Sequence, residues 1–277
     1  MISVVFTTEL YTVLPIVIFV WWQINLIKLK YMIDLRLGDC LEVMKTIPNK
    51  SVDAIITDPP YGTTACKWDS VIDFKLMWEQ LNRIIKPNGA IVLFGSEPFS
   101  SALRMSNIKN YKYDWVWEKN LPSGVALAKY QPMRVTENII VFCDGKTTYN
   151  KQFVDTVISD RKVVDGRKNG SGSNGSNHIP MKQVKNIQKT KVNPRNLLKI
   201  KCVPNAGGHK LHVTQKPLDL MEYLIKTYTN ENETVLDFTM GSGSTLVACQ
   251  NTNRNGIGIE QDDKYFEVAK QRIGIVE

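Results

Sequence analysis

Thr234-Val235-Leu236-Asp237-Phe238 runs into Thr239-Met240-Gly241-Ser242-Gly243-Ser244-Thr245, and then into a helical stretch from Leu246 to Thr252. A short apolar run closed by an aspartate reads as a buried strand. Strand, glycine loop and helix together bring backbone N–H groups and a helix N-terminus to a polar or anionic ligand. The dinucleotide fingerprint needs a third glycine where this chain has Leu246, which counts against NAD or FAD, and no P-loop lysine follows. The next strand, Gly256-Ile257-Gly258-Ile259-Glu260, ends on an acid 23 residues after Asp237. An acid at about that offset is placed to hold ribose hydroxyls. Alone, the segment fits equally an ordinary strand, turn and helix with a solvated glutamate.

A second strand, Val52-Asp53-Ala54-Ile55-Ile56-Thr57, leads into Asp58-Pro59-Pro60-Tyr61. In open α/β sheets ligands bind at the carboxyl ends of strands. Proline fixes φ and lacks an N–H, so Pro59-Pro60 presents stiff, acceptor-only backbone between a carboxylate and an aromatic ring. Acceptors beside a stacking ring suit a planar group with an exocyclic NH2, such as a nucleobase turned out of a duplex. The blander alternative is a proline-rich turn carrying a surface tyrosine.

Strand and helix signals alternate elsewhere. Strands are predicted over 33–37, 90–94, 111–117 and 138–142. Asp73 opens a helix with apolar positions at 74, 77, 78, 81, 84 and 85, ended by Asn88-Gly89. Pro217 suits a first helical position, and Asp262 or Asp263 caps a last helix. Repeated βα units imply an α/β fold with a doubly wound, mostly parallel sheet.

The tetrapeptide at 58–61 and the Phe238-x-x-Gly241-x-Gly243 loop resemble motifs IV and I of S-adenosylmethionine-dependent DNA amino-methyltransferases, the N4-cytosine/N6-adenine DNA methylases of restriction-modification or phage type. Thr214-Gln215-Lys216-Pro217 resembles their motif X, Gly38-Asp39-Cys40-Leu41-Glu42 a short strand-end motif, and Trp117-Glu118-Lys119 a motif near the target-base pocket. The order, catalytic motif before cofactor loop with a variable insert between, resembles the β permutation class. Phe238-Thr239-Met240 departs from the family's more usual Pro-Phe-Ala. The resemblance covers roughly residues 33–145 and 211–273. It implies a circularly permuted, Rossmann-like, seven-stranded methyltransferase domain and S-adenosylmethionine as cofactor. It also implies residue roles. Asp58 and Pro59 accept from the target NH2, Pro60 stiffens the turn, and Tyr61 stacks on the base. Asp39 and Glu260 hold the cofactor's adenine and ribose, Asp237 is a further cofactor contact, Phe238 lines the methyl-transfer side, and Gly241 and Gly243 allow close approach. Lys216, Ser244 and Thr245 meet the methionine carboxylate. Aspartate in first place favours adenine, since relatives acting on cytosine N4 more often carry serine. The alternatives are an N4-cytosine enzyme, an RNA methyltransferase or an inactive DNA-binding relative. A cognate restriction enzyme is a candidate partner, with the chain a monomer or homodimer.

The chain has 277 residues and a net charge of +8. Residues 146–210 hold fourteen Lys/Arg and three acids, a local +11, so the rest is slightly acidic. A basic block set between two halves is an electrostatic footprint for the phosphates of double-stranded DNA. Arg161, Lys162, Arg167, Lys168, Lys182, Lys185, Lys189, Lys191 and Arg195 are its candidate contacts, although Gly166–Asn177 also reads as a flexible basic loop. The domains expected are therefore an apolar extension (1–31), a catalytic half (32–145), a target-recognition insert (146–210) and a cofactor half (211–277).

Five scattered cysteines without a Cys-x-x-Cys argue for reduced thiols and a cytoplasmic protein. No Pro-Cys dipeptide occurs, which disfavours cytosine-C5 chemistry with its cysteine nucleophile. Cys202, His209 and His212 are too loosely spaced for a convincing zinc site, so no metal is expected. From Leu10 to Ile27 the chain is uncharged, which reaches the lower limit of a membrane span. Three readings stand: translation starting at Met32, an added packing element, or an anchor. Sheet-forming pattern begins only at Met32-Ile33, so a chain starting at Met32 is expected to match the full chain in activity. Side-by-side assay checks this, and loss of activity on truncation would refute it.

Overall fold

The computed structural model describes residues 31–63, 69–157, 189–204, 210–212 and 214–274, without the side chains of 155–157, 189 and 190. The uncharged run from Leu10 to Ile27 therefore lies outside the described residues, among which no helix is long and apolar enough to cross a membrane. Ten strands are described: β1 (Ile33–Leu37), β2 (Val52–Thr57), β3 (Ile85–Gly95), β4 (Tyr111–Ser123), β5 (Arg134–Phe142), β6 (Val154–Val157), β7 (Lys189–Val192), β8 (Leu197–Lys199), β9 (Thr234–Asp237) and β10 (Asn255–Glu260). The helices are α1 (Cys40–Met44), α2 (Phe74–Ile84), α3 (Phe99–Ser106), α4 (Leu218–Tyr228), α5 (Ser244–Asn251) and α6 (Asp263–Ile273).

Eight strands form one sheet in the order β1-β10-β9-β2-β3-β5-β4-β8, one more than expected. The eighth, β8, pairs parallel with β4 and covers an edge that would otherwise expose its backbone groups. The strands from β1 to β3 are parallel, and β5 runs antiparallel to both β3 and β4. Strand β1 pairs with β10 from Ile33↔Gly256 to Leu37↔Glu260, so strands far apart in sequence lie side by side.

Strand periodicity sorts side chains onto two faces. Ala54, Ile56, Ala90 and Val92 pack with Leu220, Leu224 and Tyr228 of α4 and Ala248 of α5. Ile55, Ile91 and Leu93 pack with Met44 of α1, Leu81 of α2 and Leu103 of α3. Helices on both faces make the sheet doubly wound, as expected.

Some boundaries differ from the sequence reading. Helix α2 ends at Ile84, and Ile85 is already extended (ψ 138), before Asn88-Gly89. Pro87 disfavours helical backbone in the residue ahead of it, so strand β3 starts early and Asn88 turns inside it at φ 65. Pro217 caps α4 in extended backbone rather than opening it. Asp262 is the cap of α6 and accepts from the Tyr265 N–H. Helices α1 and α3 were not foreseen.

The chain divides into two compact units, Met1–Asn150 with Asn196–Glu277, and Lys151–Arg195. The second is narrower than the 146–210 span because β8 belongs to the main sheet. Its described part is the antiparallel pair β6–β7, with Asp155 opposite Lys191.

Trp115 and Trp117 are core residues, each 3% exposed. Trp115 Nε1 donates to the buried Tyr228 hydroxyl at 2.6 Å. A buried donor left without its acceptor costs about 1–3 kcal/mol. Tyr228→Phe is therefore expected to destabilise the fold by about that amount, read from denaturant unfolding, and an unchanged midpoint would contradict it.

Candidate functional site

Strands β1, β10, β9 and β2 are neighbours and parallel, so their carboxyl ends line one edge of the sheet. Asp39, Glu260, Asp237-Phe238 and Asp58 stand there, around a cavity of about 280 Å³. Of the thirteen catalytic and cofactor candidates, only Gly243 does not line it.

The turn after β2 is shaped by a residue that sequence reasoning missed. Asp69 Oδ1 accepts from the N–H groups of Tyr61 (2.8 Å) and Gly62 (2.9 Å), and its Oδ2 accepts from Thr63 N–H (2.9 Å). Pro59 and Pro60 donate nothing, so Asp69 supplies the acceptors that close this turn. The Tyr61 ring stacks on Phe99 with centroids 5.0 Å apart. Its hydroxyl donates to Asp58 Oδ1, and Lys216 Nζ donates to Asp58 Oδ2.

Lys216 also sits 3.5 Å from Glu137 Oε2 and 4.9 Å over the Phe94 ring. Glu137 Oε1 in turn accepts from Lys119 at 2.9 Å. These charges are nearly dry. Burial raises the Asp58 pKa, Lys216 lowers it and Glu137 raises it, with a net rise. For Lys216, burial acts downward, but Asp58 and Glu137 outweigh it and hold the ammonium charged. Burial also pushes Glu137 upward, and Lys216 and Lys119 outweigh it to keep the carboxylate ionised. Glu137 was missed in the sequence because the predicted strand starts at Asn138, while the strand itself begins at Arg134.

The cofactor side is organised around Asp237. Thr57 Oγ1 lies 2.5 Å from Asp237 Oδ1 and 2.7 Å from Thr239 Oγ1, while Thr239 Oγ1 donates to the Asp58 carbonyl at 3.1 Å. Thr57 Oγ1 is the donor to Asp237. Burial pushes the Asp237 pKa up to about 6, against the lowering effect of the hydrogen bonds from Thr245 and Thr57. Thr245 Oγ1 donates to Asp237 Oδ2.

Lys216 donates to Asp58, Thr245 donates to Asp237, and Ser244 Oγ accepts from Arg272 Nη1 at 2.9 Å. Glu260 Oε2 accepts from Gly241 N–H and its Oε1 from the N–H groups of Gln261 and Asp262, all at 2.9 Å. A carboxylate has about four acceptor sites, so Glu260 has about one left, enough for one hydroxyl rather than two. Asp39 Oδ1 caps α1 by accepting from Leu41 (2.8 Å) and Glu42 (3.2 Å) N–H groups. Gly243, at φ 74, faces α6, where an added Cβ would come within 3.2 Å of Ala269 and Ile273. Gly241, at φ 51, stays on the cavity, where an added Cβ would lie 3.6 Å from the His212 ring. Burial, with Lys216, pulls the His212 pKa down to about 4, so this imidazole lines the cavity neutral near pH 7.

Among the described residues no group of His, Cys, Asp or Glu is arranged to hold a metal. His209 lies outside them. Cys40, Cys143, Cys202 and Cys249 are free thiols. Of the basic candidates, Arg161, Lys162, Arg167, Lys168, Lys182 and Lys185 lie outside the described residues. Lys189 and Lys191 sit on β7, and Lys191 and Arg195 are exposed.

The chain matches the model of a DNA methylase family over residues 52–271. It is 29% identical to the type II methyltransferase M.HpaI of Haemophilus parainfluenzae over 85% of this chain and 72% of that protein. It is 28% identical to the DNA adenine methyltransferase YhdJ of Escherichia coli K12, over 86% and 81%. Among solved structures, the complex of M1.HpyAVI with SAM superposes with a TM-score of 0.58 at 30% identity, covering 87% of this chain and 99% of that one. The cytosine-N4-specific PvuII DNA methyltransferase superposes at 0.59 with 17% identity, a likeness of fold, over 88% of each chain. With the family match spanning most of its length and the 58–61 tetrapeptide and glycine loop meeting in one cavity, this chain belongs to the DNA methylase family, the amino-methyltransferases.

Proposed function

We propose that this chain methylates the N6 amino group of adenine in duplex DNA. The supporting observation is Asp58, an aspartate at the head of its tetrapeptide, buried on the cavity and held through both oxygens by Tyr61 and Lys216. The similarity to an adenine methyltransferase, YhdJ, points the same way.

S-adenosylmethionine supplies the electrophilic methyl group when bound. The residues present fit it: a positive-φ Gly241 on the cavity, a spare acceptor on Glu260, and apolar walls at Phe238 and Met240. The exocyclic amino nitrogen is a poor nucleophile because its lone pair is conjugated with the ring. Asp58 and the Pro59 carbonyl accept its protons and favour a tetrahedral nitrogen. Lys216 keeps Asp58 in the ionised, accepting form against its burial. Phe99 backs the Tyr61 ring, making it a rigid platform on which stacking is worth about 1–3 kcal/mol. Rate enhancement then comes from positioning and fixed electrostatics. The basic residues of 146–210, Lys189, Lys191 and Arg195 among them, serve as the DNA-reading surface, with binding that weakens as salt rises.

Digestion of DNA from an expressing host, followed by mass spectrometry of the nucleosides, is expected to show N6-methyladenine. N4-methylcytosine alone, or methyl groups only in RNA, would overturn the adenine reading. Asp58→Ala is expected to lower turnover by about a hundredfold or more, with cofactor affinity nearly unchanged.

The charge network predicts a pH effect. Asp58 must be ionised to accept, so activity falls as pH drops through its pKa. Glu137 raises that pKa, so Glu137→Gln is expected to move the acid limb of the kcat/KM profile to lower pH. A limb that stays put, or moves up, would contradict the arrangement.

A further inference from the structure

Strand β3 ends at Gly95, paired with Asn138 of β5. The β4–β5 ladder continues past it, through Trp117↔Glu137 and Glu118↔Thr136 to Ser123↔Arg134. Because β2 and β3 are parallel, with Thr57 opposite Leu93, this extension leaves the sheet at the edge that carries Asp58. Its base is fixed to the catalytic group through the Glu137 contacts with Lys119 and Lys216, and Arg134 Nη1 donates to Ser96 Oγ at 2.9 Å. The tip turns through Gly124 at φ 86 and a single 3-10 turn, Val125–Leu127.

The tip is apolar and uncovered. Tyr130 is 84% exposed and Val125 70%, and Leu121, Leu127, Met133 and Val135 are each 44–46% exposed. Clustered exposed apolar side chains of this kind mark an interaction site. No acid occurs between Lys119 and Val135, while Lys129 and Arg134 are exposed on the same hairpin. Apolar side chains flanked by cations suit a surface that enters a nucleic acid and meets its phosphates on either side.

We propose that the β4–β5 hairpin is a wedge, with Tyr130 and Val125 entering the duplex beside the target base and filling the stack that the base vacates. The inference rests on the DNA-methylation reading and adds a device to it: the wedge opens the duplex, and Asp58 and Tyr61 receive what is expelled. A wedge is needed for paired DNA and is superfluous for DNA already open.

The test uses the full chain, methyl-labelled S-adenosylmethionine, and plasmid DNA from a methylase-deficient host, native and heat-denatured. Tyr130→Ala and the pair Val125→Ser with Tyr130→Ala are expected to slow labelling of native DNA by about tenfold or more, while denatured DNA is labelled within about twofold of the wild-type rate. Tyr130→Phe, which keeps the ring, is expected to behave as wild type. Both side chains are exposed, so thermal melting should not move. Equal losses on native and denatured DNA, or no loss on either, would overturn the wedge. So would a shift from dimer to monomer in sedimentation with native labelling retained, which would make the patch a contact between two copies. If the wild-type chain labels neither DNA, the methylation reading itself fails and the wedge with it.

Discussion

The buried ion pair between Asp58 and Lys216 sets the terms for the rest of the site. The two side chains are 17% and 9% exposed, and they come from positions 158 residues apart. A lone charge at such a depth costs several kcal/mol, and removing one partner strands the other. The segment before α4 must therefore return to the end of β2, and the β5 strand must offer Glu137 to balance the lysine. Lys119 then answers Glu137. The chain of charges runs from β4 through β5 and Lys216 to the catalytic turn, and each member is tolerable only because the next is present. Its chemical consequence lies at the Asp58 carboxylate. Burial raises the pKa of this group, and Lys216 opposes that.

The cofactor side solves the same problem with neutral groups. Among the described residues no cation is paired with Asp237. Two threonines and the Thr239 N–H serve it, and burial lifts its pKa to about 6. Thr239 also donates to the Asp58 carbonyl, so the catalytic turn and the glycine loop share one hydrogen-bond chain. Glu260, whose pKa burial likewise raises, is anchored by three backbone N–H groups, which fixes where its remaining acceptor points.

Much of this was legible in sequence because it rests on local pattern. Apolar runs at strand period gave the positions of β2, β9 and β10, and the glycine loop and the tetrapeptide marked the edge where ligands bind. Asp73 and Asp262 announced helix caps through their own chemistry. Residues whose role depends on a distant partner were not legible. Asp69 binds backbone groups across a short loop whose path the sequence does not state. Glu137 stands between Thr136 and Asn138 and looks like any solvent-facing strand residue until Lys216 is placed beside it. Lys216, Ser244 and Thr245 were grouped by expected ligand, a grouping that does not state the side chains each one meets, Asp58, Arg272 and Asp237. The early end of α2 was readable, since Pro87 disfavours a helical Lys86, but Asn88-Gly89 gave the louder signal.

The position of the variable segment follows from the ladder. The main chain leaves the core after β5 and Asn150, and returns at Asn196 to form β8 on the outer edge of β4. All the parallel pairings from β1 to β3 that bring Asp39, Glu260, Asp237 and Asp58 together lie on the other side of β5. The described strands of residues 151–195, β6 and β7, pair with each other and supply none of those pairings. The β4–β5 hairpin differs in this respect. Glu137 at its base belongs to the catalytic charge network, so a change in the hairpin's seating is felt at Asp58.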